Sequence, residues 1–402
     1  MTLGIGGGSI EEALAAPAAA IAHVAPITRE EFASRIALAQ QLMRDHDIAC
    51  LFLNAGTNLY YFTGTSWHPS ERLVACLLPA DGEPIMVAPT FERGTLLACQ
   101  QVPMDIACWE EHECPYALCA DLLRERVGRG ANIGLDESTP FFLSSGLQSA
   151  AAELSFVDAT PVSAGCRMHK SSSEIALLQA AKNITLEVHK RIASVLSEGV
   201  SAAELSQRID QIHRALGAAK GSSFCIVLFG EDTAFPHGVA APKTLEHGDM
   251  VLIDTGCLIE GYNSDITRSY VFGDPSAEQR RIWDIEKAAQ AAAFAAAVPG
   301  APCEAVDLAA RQVLESAGLG PDYALPGLPH RTGHGIGLDI HEWPYLVKGN
   351  RTALATGMCF SNEPMICVPG KFGVRHEDHF YMSEQGPRWF TEPARSIDAP
   401  FG

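Results

Sequence analysis

No stretch of about 18 consecutive apolar residues occurs in the chain, so the sequence offers no membrane-spanning helix. Basic residues are scarce. The 29 Lys and Arg stand against 48 Asp and Glu, a formal charge of −19. That balance argues against a nucleic-acid partner, which needs a basic footprint. CxxC pairs are missing too. The 12 cysteines are scattered, among them Cys50, Cys76, Cys99, Cys166, Cys225 and Cys359, and form no tight disulfide framework. They read as reduced packing residues of a cytosolic protein. Residues 1–25 carry Glu11 and Glu12 and no basic leader, so no signal peptide is expected. With Gly6-Gly7-Gly8 and many alanines, they read as a flexible N-terminal segment. What is present is a globular composition, with 47% apolar residues. At about 150 residues per domain, 402 residues allow about two or three domains.

Thr28 with Glu31 is a capping box that opens an amphipathic helix to about residue 45. Short apolar strands are expected at Ile48–Leu53, Leu73–Leu78, Ile85–Ala88 and near Ile133–Leu135, with a turn at Asn54–Asn58 and a helix over Tyr116–Val127. Residues 26–165 thus describe an α/β domain with no catalytic constellation of its own. Composition changes near Ala164–Ser173. Ser171 with Glu174 caps a long helix and Ser201 with Glu204 caps another. Phe224–Phe229 reads as a strand, and Ser276 with Gln279 starts an Ala-rich helix that Pro299-Gly300 stops. Residues 166–402 therefore form an α+β domain, whose two halves could each be helices followed by a hairpin.

The second domain is organised around Asp254 to Asp265. Met250–Ile253 reads as a buried strand, Gly261 and Asn263 as turn formers, and Ile266–Phe272 as the returning strand. Such a hairpin sets two acids side by side at strand ends. Buried carboxylates demand a positive partner, and only Arg268 is near in sequence, so a metal ion is the simplest answer. Taken singly, Asp254 could cap a strand and Asp265 sit in a polar turn. Four later segments shift the balance: His330-Arg331-Thr332-Gly333-His334-Gly335-Ile336-Gly337, His341-Glu342, Phe360-Ser361-Asn362-Glu363-Pro364 and Gly373-Val374-Arg375-His376-Glu377-Asp378. Asp254, Asp265, His334, Glu363 and Glu377 together form an oxygen-rich set of about four negative charges, matching two divalent cations. Carboxylate-dominated sites favour Mn²⁺ and its neighbours over zinc. Two metals roughly 3.5–4 Å apart can share a water, lower its pKa and polarise a carbonyl.

The order Asp, Asp, His, Glu, Glu resembles the pita-bread metallopeptidases, namely methionine aminopeptidase, aminopeptidase P and Xaa-Pro dipeptidase (prolidase). The resemblance rests on Asp254-Thr255-Gly256 through Ser264-Asp265-Ile266-Thr267-Arg268, then His334-Gly335-Ile336-Gly337, Glu363-Pro364 and Arg375-His376-Glu377-Asp378. Asn58-Leu59-Tyr60-Tyr61-Phe62-Thr63-Gly64 extends it to the creatinase-like N-terminal domain of the aminopeptidase P and prolidase branch. It implies a pita-bread catalytic domain over 166–402 behind a smaller creatinase-like α/β domain over 26–165. By the same resemblance, Asp254 and Asp265 hold one metal, His334 and Glu363 serve the other, and Asp265 and Glu377 bridge. Glu363 doubles as general base. His237 contacts substrate or leaving group, His341 stabilises the tetrahedral intermediate, and Arg375 steadies the site or receives a substrate carboxylate. His330 is a lesser candidate for substrate contact. His376 departs from the family, where many relatives carry an aliphatic residue.

The resemblance implies hydrolysis of the bond before proline in an Xaa-Pro dipeptide. The reaction would run through a metal-bridging hydroxide on two ions, Mn²⁺ ahead of Co²⁺ or Zn²⁺, in a cytoplasmic homodimer. The alternatives are aminopeptidase P chemistry on longer peptides, a non-peptide hydrolase or lyase on the same fold, and a non-catalytic pita-bread binding module. The intact ligand set counts against the last, and against a creatinase.

Overall fold

The computed structural model describes residues 5–15 and 24–401. Two compact units form. One is Ile27–Arg167, and the other comprises the described residues before Ile27 together with those from Met168 onward.

In the first unit Thr28 Oγ1 accepts the Glu31 N–H at 3.3 Å and opens the helix Arg29–Asp45. Six strands follow: β1 Cys50–Asn54, β2 Ala75–Pro79, β3 Ile85–Pro89, β4 Asp105–Trp109, β5 Asn132–Leu135 and β6 Ser155–Asp158. They make one mixed sheet in the order β4-β3-β2-β1-β5-β6. β1, β2 and β3 are buried along their whole length, which is why they read in sequence as unbroken apolar runs. β4 and β6 escape sequence reading because they are only partly buried and carry a weak apolar signature. The expected turn ends early: its last two residues, Thr57 and Asn58, already belong to a short helix, Thr57–Thr63, closed by Gly64 at φ 70°.

The second unit repeats one plan twice. The helices Ser172–Ser194 and Ala202–Ala215 lead into β7 Ser222–Phe229, β8 Met250–Ile259, β9 Tyr262–Asn263 and β10 Ile266–Val271. The helices Ala277–Ala296 and Cys303–Ser316 lead into β11 Gly333–Gly335, β12 Glu342–Leu346, β13 Cys359–Asn362, β14 Met365–Val368, β15 Phe372–Arg375, β16 Asp378–Ser383 and β17 Gly386–Trp389. Full capping boxes open two of these helices, at Ser171 with Glu174 and at Ser276 with Gln279. β8 lies between β10 and β7, while β12-β11-β13-β16-β17 form the second sheet.

Strand alternation gives β8 two faces. Val251 and Ile253 pack with Ile184, Val188, Leu205, Ile209 and Ile212 of the first helix pair. Met250 and Leu252 pack with Ile282, Trp283, Val306, Leu314, Phe360 and Phe380 of the second half. Each such side chain contributes about 1.5–3 kcal/mol by burial. Asp254 follows Leu252 on the face toward the second half, so the two halves meet where the acids stand.

The glycine-rich start, expected to be flexible, packs where it is described. Gly6 N–H donates to Ala193 O and Gly8 N–H to Ser194 O, both at 2.8 Å. Arg191 Nη1 reaches Ala13 O at 2.9 Å in the helix Ile10–Ala15. The two glycine bonds satisfy carbonyls at the end of the helix Ser172–Ser194, and the arginine satisfies one of the helix Ile10–Ala15. Residues 1–4 and 16–23 of that expected segment lie outside the described residues.

Candidate metal centre

The hairpin is longer than its apolar run suggests. β8 continues through Asp254 to Ile259, and Glu260-Gly261 make a two-residue turn with positive φ at both positions. Asp254 is therefore inside a strand rather than at its end, opposite Thr267 of β10. Asp265 falls between β9 and β10. A Cβ on Gly256 would sit 1.9 Å from Ser264 O, so only glycine lets the hairpin close here. The same logic applies at His334, where a Cβ on Gly333 would meet Ser361 O at 2.2 Å.

All five residues of the set converge. His334 Nε2 lies 3.1 Å from Glu363 Oε1, 3.7 Å from Asp265 Oδ2 and 4.0 Å from Glu377 Oε1. The ligand atoms of Asp265, His334 and Glu377 all fall within 4.8 Å of one another. His334 Nδ1 is 3.0 Å from the Gly335 carbonyl, which only accepts, so the Nδ1–H is used there and Nε2 is the nitrogen turned to the carboxylates. Ser361 Oγ accepts the His334 N–H at 2.9 Å and donates to Glu363 Oε1 at 3.1 Å. Thr267 Oγ1 donates to Glu377 Oε2 at 2.9 Å.

Arg375, not Arg268, is the cation of this cluster. Its Nη2 meets Asp254 Oδ2 at 2.5 Å, its Nε points to Thr267 Oγ1 at 3.1 Å, and it is 3% exposed. Arg268 turns away to Asp378 Oδ1 at 2.6 Å, where both side chains are fully buried. His376 also faces away from the pocket. Its Nε2 is 3.3 Å from Glu286 Oε2, and its ring stands edge-on to Trp283.

Within this cluster three carboxylate oxygens are buried without a hydrogen-bond partner: Asp254 Oδ1, Asp265 Oδ1 and Glu377 Oε1. Burial first, then the charges of Glu377, Asp254 and Glu363, push Asp265 well above the carboxylate range. Burial with Glu363 and Asp254 does the same to Glu377, against Arg375. Burial would raise Glu363 as well, but the hydrogen bond and charge of His334, with His330 and Arg375, hold it low. Bare anionic oxygens around an imidazole nitrogen are costly unless a cation joins them. An oxygen-rich set with one imidazole suits a hard or borderline divalent ion. The residues present therefore fit a bound metal.

Around this cluster, His341 is exposed, its ring 4.2 Å from that of His334 at an interplanar angle of 65°. Burial of part of the ring, then His334 and Arg331, pull it down to about 4. His237 is exposed on the turn after the 3₁₀ helix Gly230–Ala234, near enough for its charge to bear on both His330 and His341. His330 Nδ1 contacts Arg331 O at 2.7 Å while its buried Nε2 has no partner.

Sequence reading missed two neighbours. Lys182 is fully buried, its Nζ donating to Asn263 O at 3.2 Å and lying 4.8 Å from the Phe390 ring centroid. Burial pulls it down to about 8. Its signal was a lysine four residues after Leu178 on the apolar stripe of the helix. His379 lies 3.4 Å from Glu377 Oε1. Its signal was the two-residue step from Glu377 on an extended segment.

Residues 176–384 match the model of metallopeptidase family M24, and residues 35–169 match the creatinase/prolidase N-terminal domain. A probable dipeptidase, PepE, of Mycobacterium tuberculosis is 36% identical over 360 residues, covering 89% of this chain and 93% of that protein. An Xaa-Pro dipeptidase of Pyrococcus furiosus is 30% identical over 358 residues, covering 89% of this chain and 97% of its own. The crystal structure of a prolidase from Thermococcus sibiricus superposes with a TM-score of 0.83 at 31% identity, covering 90% of this chain and 98% of that one. The fold is accordingly a pita-bread domain behind a creatinase-like N-terminal domain, and this chain belongs to metallopeptidase family M24.

Proposed function

We propose that the protein is a dinuclear Xaa-Pro dipeptidase, cleaving the bond before the proline of a dipeptide. The observation that carries this reading is the set of bare buried oxygens on Asp254, Asp265 and Glu377, in a cluster where the carboxylates of Asp265 and Glu377 come within 3.7 and 4.0 Å of His334 Nε2. Asp254 and Asp265 would hold one ion and His334 and Glu363 the other, with Asp265 and Glu377 serving both. The pair supplies, when bound, an acidified water and polarisation of the scissile carbonyl. Mn²⁺ is the first choice for so many carboxylates, with Co²⁺ and Zn²⁺ behind it.

The side chains do the remaining work. Glu363, held low by its basic neighbours, is ionised and takes the proton of the attacking water, then gives it to the departing prolyl nitrogen. His341, neutral at pH 7, donates to the developing oxyanion. His237, which is exposed, contacts the substrate. Arg375 is committed to Asp254 and Thr267, which supports a steadying role over capture of a substrate carboxylate. The names of the Pyrococcus and Thermococcus relatives support the dipeptide substrate. All 12 cysteines are free, in keeping with a cytoplasmic protein, and we take the working form to be a homodimer.

The test is hydrolysis of an Xaa-Pro dipeptide beside an Xaa-Pro tripeptide, on metal-stripped protein with Mn²⁺, Co²⁺ or Zn²⁺ restored. Cleavage of the dipeptide alone is expected. Cleavage of the tripeptide would move the reading to aminopeptidase P. Two bound metals with neither peptide cleaved would refute a peptidase specific for proline.

A further inference from the structure

Residues two apart on an extended strand share a face. Asp378 opens β16 and turns back to Arg268, while Glu377 and His379 on either side of it meet on the face of the carboxylates. Across the ladder His379 pairs with Ser361, whose hydroxyl serves both His334 and Glu363. The His379 carbonyl accepts the Phe390 N–H at 2.9 Å, so the backbone fixes where the ring stands.

That ring is fully buried, and neither nitrogen has a hydrogen-bond partner. An imidazole left bare in a native interior asks for an explanation. Its Nε2 is 3.4 Å from Glu377 Oε1, about 0.2 Å beyond the usual N–H···O range. Glu377 is tied on one side only: Thr267 Oγ1 donates to Oε2 at 2.9 Å, and Oε1 has no donor. Among the described residues the donors that close on one another are Asp265, His334 and Glu377, without His379. His379 thus stands behind Glu377 rather than among the ligands, with its ring 6.5 Å from that of His334.

We propose that His379 is a positioning residue of the metal centre, whose Nε2–H orients the Oε1 of Glu377. The inference rests on the reading above, in which Glu377 holds metal. A bridging carboxylate must present both oxygens at set directions. Thr267 sets one and His379 the other, much as outer donors fix ligands in metal sites generally.

The test is the affinity of the metal-free protein for Mn²⁺, read by competition with a chromogenic chelator. His379→Met keeps similar bulk and removes the donor, whereas His379→Gln returns an amide N–H near Nε2. We expect His379→Met to weaken binding about 10–100-fold and His379→Gln to stay within about threefold of wild type. Thermal unfolding of the three metal-free proteins should agree. Wild-type affinity in His379→Met, or an equal loss in both variants, overturns the proposal. Should His379→Met fail to fold, ¹⁵N resonances of wild-type His379, assigned against His379→Gln, carry the decision. A proton on Nε2 is expected, and one on Nδ1 overturns it. A wild-type protein that binds no Mn²⁺ sinks the metal reading and this inference together. Normal wild-type binding with an unaffected His379→Met sinks the inference alone.

Discussion

In the proposed mechanism Asp265 holds charge and His341 donates a hydrogen bond, so their variants should fail in different ways. Asp265 stands with the carboxyl groups of Glu377, Asp254 and Glu363 and has one oxygen bare, so Asp265→Asn swaps an oxygen ligand for an amide that holds a cation poorly. That variant should lose bound metal and turnover together, measured by metal content after dialysis and by dipeptide hydrolysis. Full metal content with normal turnover would sink its assignment as a bridge. His341→Ala should keep the metal and lose about 10²–10³ in kcat, as removal of one oxyanion donor does. Metal loss in His341→Ala would instead make it a ligand.

At the scale of elements, the helix Ala277–Ala296 grips the site from behind. Gln290 Nε2 donates to Asp378 Oδ2 at 3.0 Å, Asn362 Nδ2 donates to Gln290 O at 2.9 Å, and Trp283 Nε1 donates to Ser269 O at 2.9 Å. The pair formed by Glu286 and His376 belongs to this grip and explains the polar residue at 376. Glu286 Oε1 accepts the His376 N–H at 3.2 Å, and both side chains are fully buried. Burial raises Glu286 well above its usual range and, with Arg268 and Lys287, lowers His376 well below its own. Replacing His376 by Ile alone removes the imidazole that faces Glu286 Oε2, leaves only the backbone N–H on Oε1, and should cost about 1–3 kcal/mol in urea unfolding. The double variant Glu286→Val with His376→Ile should recover most of that loss, because removing both partners of a buried polar pair is nearly neutral. Additive losses in the cycle would mean that the two do not interact.

For the whole molecule, two buried histidines outside the ligand set impose an acid limit. His189 Nε2 donates to Ile266 O at 2.9 Å, and His213 lies between Thr185 Oγ1 at 3.1 Å and Ser222 Oγ at 2.9 Å. Burial first pulls His213 down to about 4 and His189 to about 3, from an ordinary value of 6.5. Unfolding returns both to the ordinary value, so below it the unfolded chain binds protons that the folded chain refuses. Their contribution is complete above about pH 6.5 and is lost as pH falls, by about 1.4 kcal/mol per unit for each histidine until its folded value is reached. His213→Gln removes one of these protons and leaves the carboxylates common to both proteins. Its urea-unfolding free energy should therefore fall less steeply, by about 1.4 kcal/mol per pH unit, between about pH 6.5 and 4. Parallel acid limbs in the two proteins would refute the assignment.

Much of this was legible from local chemistry. Unbroken apolar runs marked β1, β2 and β3, and serine three residues before glutamate or glutamine marked two helix starts, because burial and capping act over a few residues. The identity and order of the acids and of His334 could be read because each falls beside turn formers or at a change of pattern. Which charge answers which could not. Asp254 finds Arg375 at a separation of 121 residues, and Arg268, its neighbour in sequence, finds Asp378 at 110. Lys182 and His379 showed only as polar residues on buried faces, with no periodicity to name their partners. By itself the sequence determined the domain order, the strands with strong apolar patterns and the kinds of ligand available. The tertiary structure alone decided how the charges pair and which oxygens stay bare, because the energy of a buried charge depends on what the fold brings beside it.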